Sequence, residues 1–284
     1  MQTVFDLPMA QTISAPESLG GTEIAMRRVK RILNPAKGMV EAYDFTLNPY
    51  IGCQFGCSYC YAAFFVAEPA KADDWGNWVE IKENAVELLA NEHSVRGSKV
   101  YLGSVTDPYQ PIEMETGLTR SLLEVIVKMN PQPRLVIQTR SPLVTRDIDL
   151  LQKFDHVRVN LSITTDNEQI RKEFEPKCAS IARRIEAAHK LKRSGIAVGV
   201  CISPMLPIAD PERFAYWLRD INADCYSTCT FHKGSRSFAS GTRPQGAKLA
   251  KKWDWNSLEY VEAVVKMKRI LPELDTKGKA FDPV

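Results

Sequence analysis

The chain has 284 residues, of which 44% are hydrophobic and 25% charged, and its formal net charge is +3. These values are ordinary for a globular protein with one large core, or with one core and an appendage, and they exclude a disordered or fibrous chain. The mild charge permits an anionic partner without indicating one, because nucleic-acid-binding proteins usually carry a stronger and more clustered positive excess.

Neither a targeting segment nor a membrane span is expected. The N-terminal stretch lacks a basic region followed by a long apolar run, and no segment approaches the ~20 apolar residues that cross a bilayer. Seven cysteines, three of them crowded together, do not form the pattern of a disulfide framework. We therefore expect a cytoplasmic protein, without a membrane partner, whose cysteines bind metal in a reducing compartment.

After an N-terminal segment of about 40 residues, short β-type runs alternate with helical patterns. The basic run at 26–38 in that segment favours a solvated helix face over a nucleic-acid contact. Gly195 is predicted to end one helix and Asp210 to cap the start of the next. Strands are predicted at 43–48, 99–105, 134–139, 157–163, 196–203 and within 224–231, and helices at 83–93, 115–129, 144–154, 180–195 and 211–221.

Six β–α units predict parallel strands with right-handed crossovers. The fold class is therefore α/β: a partial (β/α)6 TIM-like barrel with an N-terminal segment and a C-terminal helical extension. In such a barrel the chemistry lies on the loops after the carboxyl ends of the strands. We divide the chain into an N-terminal segment (1–40), the barrel (41–232), and a flap with a C-terminal helical extension (233–284). The polar stretch 232–246 is a boundary or a flap, and 256–271 is an amphipathic helix.

The stretch NPYIGCQFGCSYCYA places Cys53, Cys57 and Cys60 in C-x3-C-x2-C spacing. Three thiolates in one short loop can converge on a metal centre, and sulfur ligands select zinc, copper(I) or iron–sulfur. Structural zinc takes four ligands, and here a distant histidine or cysteine would have to fold back to complete the set. An iron–sulfur cube held by only three cysteines leaves one iron open to a small molecule, as a catalytic site requires.

With an aromatic residue at Tyr59, this motif resembles that of the radical S-adenosylmethionine (SAM) superfamily. In that family the open iron of a [4Fe–4S] cluster chelates SAM, and one electron cleaves SAM to a 5′-deoxyadenosyl radical that abstracts a substrate hydrogen. The resemblance implies a cluster on Cys53, Cys57 and Cys60, with SAM on the fourth iron. It also implies a one-electron reductant such as flavodoxin or ferredoxin, and it places Tyr59 near the adenine of SAM.

Ordered stretches across residues 43–210, such as GSVTDPYQPIE and FEPKCASIARRIEAAHKLKRSGI, resemble the branch that contains spore photoproduct lyase. By this resemblance Ser104, Thr106 and Asp107 would hold the ammonium or ribose of SAM. The Asp-Pro pair is equally well explained as a turn that caps the next helix. Arg140 would pair with the SAM carboxylate. The other cofactor-binding candidates are Ser141, Ser162, Glu175, Arg184 and Ser203.

Ser104 departs from the lyase pattern, in which a cysteine at this position returns a hydrogen atom to the product radical. A hydroxyl is a far poorer hydrogen-atom donor, so another thiol must serve or the reaction must differ. Free cysteines are more often small buried hydrophobic residues than donors. The candidate donors, near the ends of the fifth and sixth strands, are Cys201, Cys225 and Cys229.

The substrate stays open at this point, as does the choice between a lyase and another radical transformation. A peptide or small metabolite is slightly favoured by the mild charge and the missing donor cysteine, and a flap around 232–247 would enclose it. The alternative is a nucleic-acid base, which would place Arg27, Arg28, Lys30 and Arg31 at the barrel mouth. A further alternative is a zinc-stabilised binding module without catalysis.

Overall fold

The structure, a computed structural model, describes residues 14–232 and 241–284. Within these ranges the strands form two sheets. The strands are β1 (Ser18–Leu19), β2 (Thr22–Arg27), β3 (Leu33–Pro35), β4 (Phe45–Leu47), β5 (Tyr50–Gly52), β6 (Trp78–Lys82), β7 (Lys99–Leu102), β8 (Arg134–Thr139), β9 (Val157–Ser162), β10 (Ala197–Ile202), β11 (Cys225–Thr228) and β12 (Leu274–Asp275).

The larger sheet is the wall of a partial barrel. Its strands run in the order β12-β11-β10-β9-β8-β7-β4-β3, and every neighbouring pair is parallel except β3 with β4. Six of these strands, β4 and β7 to β11, correspond to the six predicted runs. The predicted α/β partial barrel is therefore confirmed, and β12 extends it as one more parallel strand.

The helices that connect the parallel strands begin and end where local sequence dictates. Asp210 accepts a hydrogen bond from the Arg213 N–H at 3.0 Å, and Pro211 occupies the first helical position. Gly195 follows its helix with a φ of 79°, which glycine adopts without steric cost. The α-helices are α1 (Pro69–Asp73), α2 (Ala85–Ala90), α3 (Glu113–Thr116), α4 (Leu118–Ile126), α5 (Ile148–Leu151), α6 (Glu168–Phe174), α7 (Ile181–Arg193), α8 (Pro211–Asp220), α9 (Pro244–Lys252) and α10 (Ser257–Lys268).

Three predicted helices differ from the structure. The basic run at 26–38, interpreted as a helix face, contains instead the end of β2 and all of β3. The helix predicted at 115–129 is divided into α3 and α4, because Gly117 between them has a left-handed φ of 57°. The helix predicted at 144–154 is a 3-10 turn, Pro142–Asp147, followed by α5. Ser141 starts this turn, and its side-chain oxygen accepts a bond from the Leu143 N–H, a local bond that competes with α-helical pairing.

The smaller sheet, in the order β1-β2-β6-β5, was absent from the predicted elements and positions the cysteine loop. Strand β5 pairs antiparallel with β6 and leads directly into Cys53. Gly52, with a φ of 82°, packs so tightly that a Cβ there would lie 2.7 Å from the Trp78 carbonyl oxygen. The entry to the cysteine loop is therefore fixed by backbone packing.

Both predicted flanking segments contribute strands to the barrel sheet, β3 from the first 40 residues and β12 from the last 52. The domain boundaries at 40 and 232 stay predictions. Of the predicted flap, residues 233–240 lie outside the described residues, and α9 begins at Pro244. Among the helices of the described ranges, none combines the length and apolar character that a membrane span requires.

Candidate active site

One cavity lies at the carboxyl ends of the barrel strands, where the sequence predicted the chemistry. Its walls come from the cysteine loop and from the residues that end or follow β7 to β11. The sequence-predicted residues that line it are Cys53, Cys57, Tyr59, Cys60, Ser104, Thr106, Asp107, Arg140, Ser162, Cys201, Ser203 and Cys229.

The cysteine loop is held by backbone hydrogen bonds to three parts of the chain. The Ser58 N–H donates to the carbonyl of Phe174, the last residue of α6, at 2.9 Å. The Gly246 N–H of α9 donates to the Ser58 carbonyl at 3.0 Å. The Gln54 N–H donates to Oε1 of Gln110 at 2.7 Å. The three loop thiols are thus presented from an anchored backbone, and all three are free of disulfides.

A fourth cysteine, Cys178, lies behind the loop, and its Sγ is 3.9 Å from Sγ of Cys57. This hydrogen bond lowers the pKa of Cys57, whereas burial raises the pKa of Cys53 and raises that of Cys60 to about 11. Sequence reasoning missed Cys178. It lies 121 positions from Cys57, and no spacing pattern links the two.

Glu175 is the centre of a buried polar cluster beside the cavity, formed by Tyr59, Arg140, Glu175 and Arg184 and hereafter called the Glu175 cluster. Oε1 of Glu175 accepts bonds from the Tyr59 hydroxyl at 2.5 Å and from Nη1 of Arg140 at 2.7 Å. Oε2 lies 2.5 Å from Nη2 of Arg184, whose side chain is 1% exposed. Arg184 is therefore a buried partner of Glu175 and not a surface charge of α7.

The charges of this cluster are fixed. Burial would raise the pKa of Glu175, but Arg184 and Arg140 outweigh it and lower the pKa to about 2. Two guanidinium groups then face one carboxylate, which leaves a net positive charge within the Glu175 cluster. All hydrogen bonds from the Arg140 side chain within the described residues leave from Nη1, so the rest of its guanidinium is available to the cavity that it lines.

Asp107 serves the turn that the sequence suggested and also lines the cavity. Its Oδ1 accepts bonds from the Tyr109 N–H at 2.9 Å and the Thr139 hydroxyl at 2.6 Å. Its Oδ2 accepts from the Arg140 N–H at 2.8 Å. Burial raises the pKa of Asp107, although these bonds oppose the rise. The carboxylate ties the loop after β7 to the end of β8.

The predicted hydroxyl groups take different positions. The Thr106 hydroxyl donates to the Gly52 carbonyl at 2.6 Å, so it braces the cysteine loop. Ser104 Oγ accepts from Nδ2 of Asn48 at 3.0 Å, and Ser162 Oγ accepts from Nε2 of Gln138 at 2.9 Å. Ser141 does not line the cavity, and neither do the side chains of Glu175 and Arg184.

The three candidate hydrogen donors are separated by the structure. Cys201 and Cys229 line the cavity, whereas Cys225 does not. The Cys201 thiol lies 3.5 Å from Oε1 of Gln138, which also accepts a bond from the Tyr101 hydroxyl at 2.9 Å. Cys225 packs in one small buried cluster with Cys201 and Ala280. Gln138 and Tyr101, both cavity residues, were not singled out from sequence because their positions within strands carry no motif.

The basic residues proposed for a nucleic-acid contact are absent from the cavity lining. Arg27 lies 2.5 Å from Glu80, and Arg28 lies 3.6 Å from Glu87, so carboxylates partly neutralise two of the four. Lys30 and Arg31 are exposed.

The family model of the Radical SAM superfamily matches residues 47–221, which include the cysteine loop and most of the barrel. The chain belongs to the radical SAM superfamily. The resemblance stated from the sequence is therefore confirmed, and with it the cofactors, a [4Fe–4S] cluster and SAM. Superfamily membership supports an enzyme that cleaves SAM by radical chemistry, with a reductant and a substrate.

Proteins from several sources resemble this chain in sequence or in fold. An uncharacterised protein of Methanocaldococcus jannaschii is 40% identical over 185 residues, which cover 65% of this chain and 68% of that protein. A protein of Pseudomonas phage M6 named radical SAM Nalpha-GlyT isomerase is 25% identical over 163 residues, which cover 56% of this chain and 33% of that protein. A variant of spore photoproduct lyase has the same fold, with a TM-score of 0.63 at 14% identity over 95% of this chain and 88% of that one.

The residues of the cavity fit these cofactors. The three free thiols of the cysteine loop line it, and thiolates are the ligands that iron–sulfur clusters take. The Trp75 indole N–H, also in the lining, is buried without a hydrogen-bond partner among the described residues. No three His, Cys, Asp or Glu side chains within 14–232 and 241–284 converge as a site for a single metal ion. Cluster thiolates bind separate iron atoms and need no such convergence, whereas structural zinc requires it.

Proposed function

We propose that Cys53, Cys57 and Cys60 hold the [4Fe–4S] cluster and that SAM binds beside it in the same cavity. The observation that carries the proposal is the common lining: these three thiols share one cavity with Arg140, Asp107 and the other polar residues that end the barrel strands. When bound, the cluster and SAM supply a carbon-centred radical that abstracts hydrogen from an unreactive carbon. The protein contributes positioning and exclusion of water.

Arg140 is the residue proposed to orient the SAM carboxylate. Its Nη1 is held by Tyr59 and Glu175, each at 2.7 Å, which fixes the direction of the guanidinium plane. The net positive charge of the Glu175 cluster is balanced when an anionic group binds, and a planar guanidinium pairs well with a carboxylate. Glu175 and Arg184 therefore act through Arg140, as positioning residues, and do not themselves line the cavity.

The further polar contacts proposed for SAM are those of Asp107, Ser104, Ser162 and Ser203, with Tyr59 beside the adenine. Thr106 and Ser141 are assigned instead to holding loops, because their hydroxyls bond to the Gly52 carbonyl and the Leu143 N–H. Among the candidate hydrogen donors, we retain Cys201 and Cys229 and set Cys225 aside, since it lies outside the cavity lining.

The proposed substrate is a peptide or a small metabolite. Phe281 and Tyr101 line the cavity from inside the barrel, Met39 and Val40 add apolar surface, and His232 and Gly241 flank the segment 233–240. A concave, mostly apolar lining with a few polar groups is typical of sites that enclose small ligands. A nucleic-acid base remains the competing assignment, and the same assay separates the two.

Anaerobic reconstitution tests the cofactor assignment. The chain is supplied with iron and sulfide, reduced, given SAM, and assayed for 5′-deoxyadenosine, with iron and sulfide content measured in parallel. We expect about four iron and four sulfide per chain, as a [4Fe–4S] cluster requires, and cluster-dependent 5′-deoxyadenosine that is lost in Cys53→Ala. Cys225→Ala is the matched control, because Cys225 is a buried cysteine outside the cavity lining. This variant should retain both the cluster and 5′-deoxyadenosine formation. A sulfide-free zinc protein that leaves SAM intact would overturn the proposal.

Substrate class is tested by the additions that raise 5′-deoxyadenosine formation above the level with SAM alone. Short peptides and metabolite fractions are compared with single- and double-stranded oligonucleotides at two salt concentrations. Stimulation by a peptide or metabolite supports the proposal. Stimulation by oligonucleotides alone, falling steeply with salt as phosphate contacts require, would assign the enzyme to nucleic acid instead.

A further inference from the structure

We propose that Cys178 is a positioning residue for the cluster: its S–H donates a hydrogen bond to the Cys57 thiolate from within the protein wall and raises the reduction potential of the cluster. The inference rests on the proposed function, since it requires Cys57 to be a cluster ligand. It assigns a cysteine outside the C-x3-C-x2-C motif to the surroundings of the cluster.

The first step is geometric. Sγ of Cys57 and Sγ of Cys178 are 3.9 Å apart, within the range of a hydrogen bond between sulfur atoms. Cys57 lines the cavity and Cys178 does not, so the two thiols meet inside the wall. Both belong to one buried apolar cluster with Ile170 and Phe174 of α6. Both cysteines are buried, and a hydrogen bond is stronger in such a low-dielectric environment than in water.

Backbone contacts on both sides hold the two cysteines together. The Ser58 N–H donates to the Phe174 carbonyl at 2.9 Å, which fixes the residue after Cys57 against the end of α6. Nη1 of Arg171 donates to the carbonyls of Glu175 and Cys178 at 3.1 and 2.9 Å, which fixes the turn that follows α6. These hydrogen bonds therefore hold the backbones of Cys57 and Cys178 in the positions that bring their sulfur atoms to 3.9 Å.

The direction of the hydrogen bond follows from the proposed ligand role. A thiolate bound to iron has no proton to donate, so Cys178 must be the donor and must stay protonated. A fourth cluster ligand would need to reach the cavity, where it would occupy the iron reserved for SAM, and Cys178 lies outside that lining. Hydrogen bonds to ligand sulfur stabilise the added electron of the reduced cluster, and second-shell donors of this kind tune metal sites.

The test is a redox titration of the reconstituted full-length chain without SAM, followed by electron paramagnetic resonance. Cys178→Ala is expected to shift the midpoint potential downwards by about 59 mV, which corresponds to a tenfold change in the equilibrium constant of a one-electron couple. Cys178→Ser retains a donor and is expected to stay much closer to the parent chain. Cys225→Ala, the matched buried cysteine, is expected to leave the potential unchanged.

An unchanged potential in a cluster-loaded Cys178→Ala chain would overturn the inference and leave the proposed function intact. A parent chain that assembles no cluster would overturn the proposed function itself, so the two failures are distinguishable. If Cys178→Ala binds no cluster, the hydrogen bond is tested by comparing the parent and Cys178→Ser chains. Both are exchanged into D2O, and pulsed electron–nuclear double resonance of the reduced cluster is recorded for each. An exchangeable deuteron coupling that changes on serine substitution supports the hydrogen bond, and an unchanged spectrum refutes it.

Discussion

Two buried polar clusters occupy opposite ends of the barrel interior, and their charged groups are stabilised in different ways. The Glu175 cluster, at the carboxyl ends of the strands, combines one carboxylate with two guanidinium groups. The second is formed by Tyr43, Arg158 and Asn160 near the amino ends and is hereafter called the Arg158 cluster. Nε of Arg158 donates to Oδ1 of Asn160 at 3.0 Å, and the cluster's other hydrogen bonds go to backbone carbonyls of the segment 279–284.

The hydrogen bonds of the Arg158 cluster attach the C-terminal segment 279–284 to the inside of the barrel near the amino ends of the strands. Nη2 of Arg158 donates to the carbonyls of Ala280 and Asp282 at 2.8 and 2.6 Å, and Nδ2 of Asn160 donates to Ala280 at 2.6 Å. The Tyr43 hydroxyl donates to the Asp282 carbonyl at 2.9 Å. Each of these carbonyls therefore has two donors. The segment places Phe281 in the lining of the cavity above.

The difference shows how one barrel uses buried polarity for two purposes. Neutral acceptors within the chain receive the hydrogen bonds of Arg158, and Arg158 does not line the cavity, so its charge is not presented to a ligand there. The Glu175 cluster has one more guanidinium group than carboxylate and places Arg140 in the lining of the cavity, where the proposed SAM carboxylate would pair with it. Three predictions test this contrast, from the largest expected effect to the smallest.

Glu175→Gln is expected to cause the largest loss. The substitution leaves Arg140 and Arg184 without their carboxylate, and an uncompensated buried charge costs about 3–5 kcal/mol. Urea unfolding of the purified chain under anaerobic conditions measures the free energy of unfolding. Glu173→Gln is the matched control, because that carboxylate pairs with the exposed Lys252 at 2.8 Å and should cost less than about 1 kcal/mol. Equal losses in the two variants would contradict a special role for the Glu175 cluster.

Acid is expected to weaken the same cluster. The pKa of Glu175 is lowered to about 2, below its ordinary value of 4.5, so its contribution is complete above about pH 5 and is lost as the pH falls. Between pH 5 and pH 3 this group alone should cost about 2 kcal/mol of unfolding free energy. The comparison of parent and Glu175→Gln chains at these two values isolates it from the other carboxylates. Parallel pH dependences in the two chains would refute the assignment.

Most of the barrel was predictable because its parallel strands are short apolar runs between turn residues. RLVIQT, for example, was predicted at 134–139, where the structure has β8. The smaller sheet was missed for identifiable reasons. Strand β1 has only two residues, and β6 is entirely buried yet contains Glu80 and Lys82, which read as surface positions. Lys82 is buried because its Nζ donates to the Asn48 carbonyl at 2.7 Å.

Site residues could be predicted where they belong to a motif or follow a strand. They could not be predicted where their role depends on a contact between residues distant in sequence. Asp107 lies in the loop after β7 and Arg140 directly follows β8, and Oδ2 of Asp107 accepts a hydrogen bond from the Arg140 N–H at 2.8 Å. Cys178 and Trp75 belong to no motif and follow no barrel strand. They stand out only in the structure, Cys178 by its contact with Cys57 and Trp75 by its buried indole N–H in the cavity lining. The role of each residue in binding the cluster or SAM stays a prediction.

Arg158→Met is expected to give the smallest of the three effects. It removes three hydrogen bonds. Asn160 and Tyr43 still donate to the two carbonyls, but the buried Oδ1 of Asn160 loses its donor, Nε of Arg158 at 3.0 Å. A loss of about 1–2 kcal/mol is expected.

A more specific test is where in the chain Arg158→Met lowers stability. Hydrogen–deuterium exchange at residues 279–282 should accelerate in Arg158→Met while the turn after α6, which holds Glu175, keeps its protection. Lys277→Met is the matched control, because this side chain is exposed in the same segment and should change stability by less than about 0.5 kcal/mol. Faster exchange at Glu175 as well would mean that the two clusters form one cooperative unit, and the contrast between them would fail.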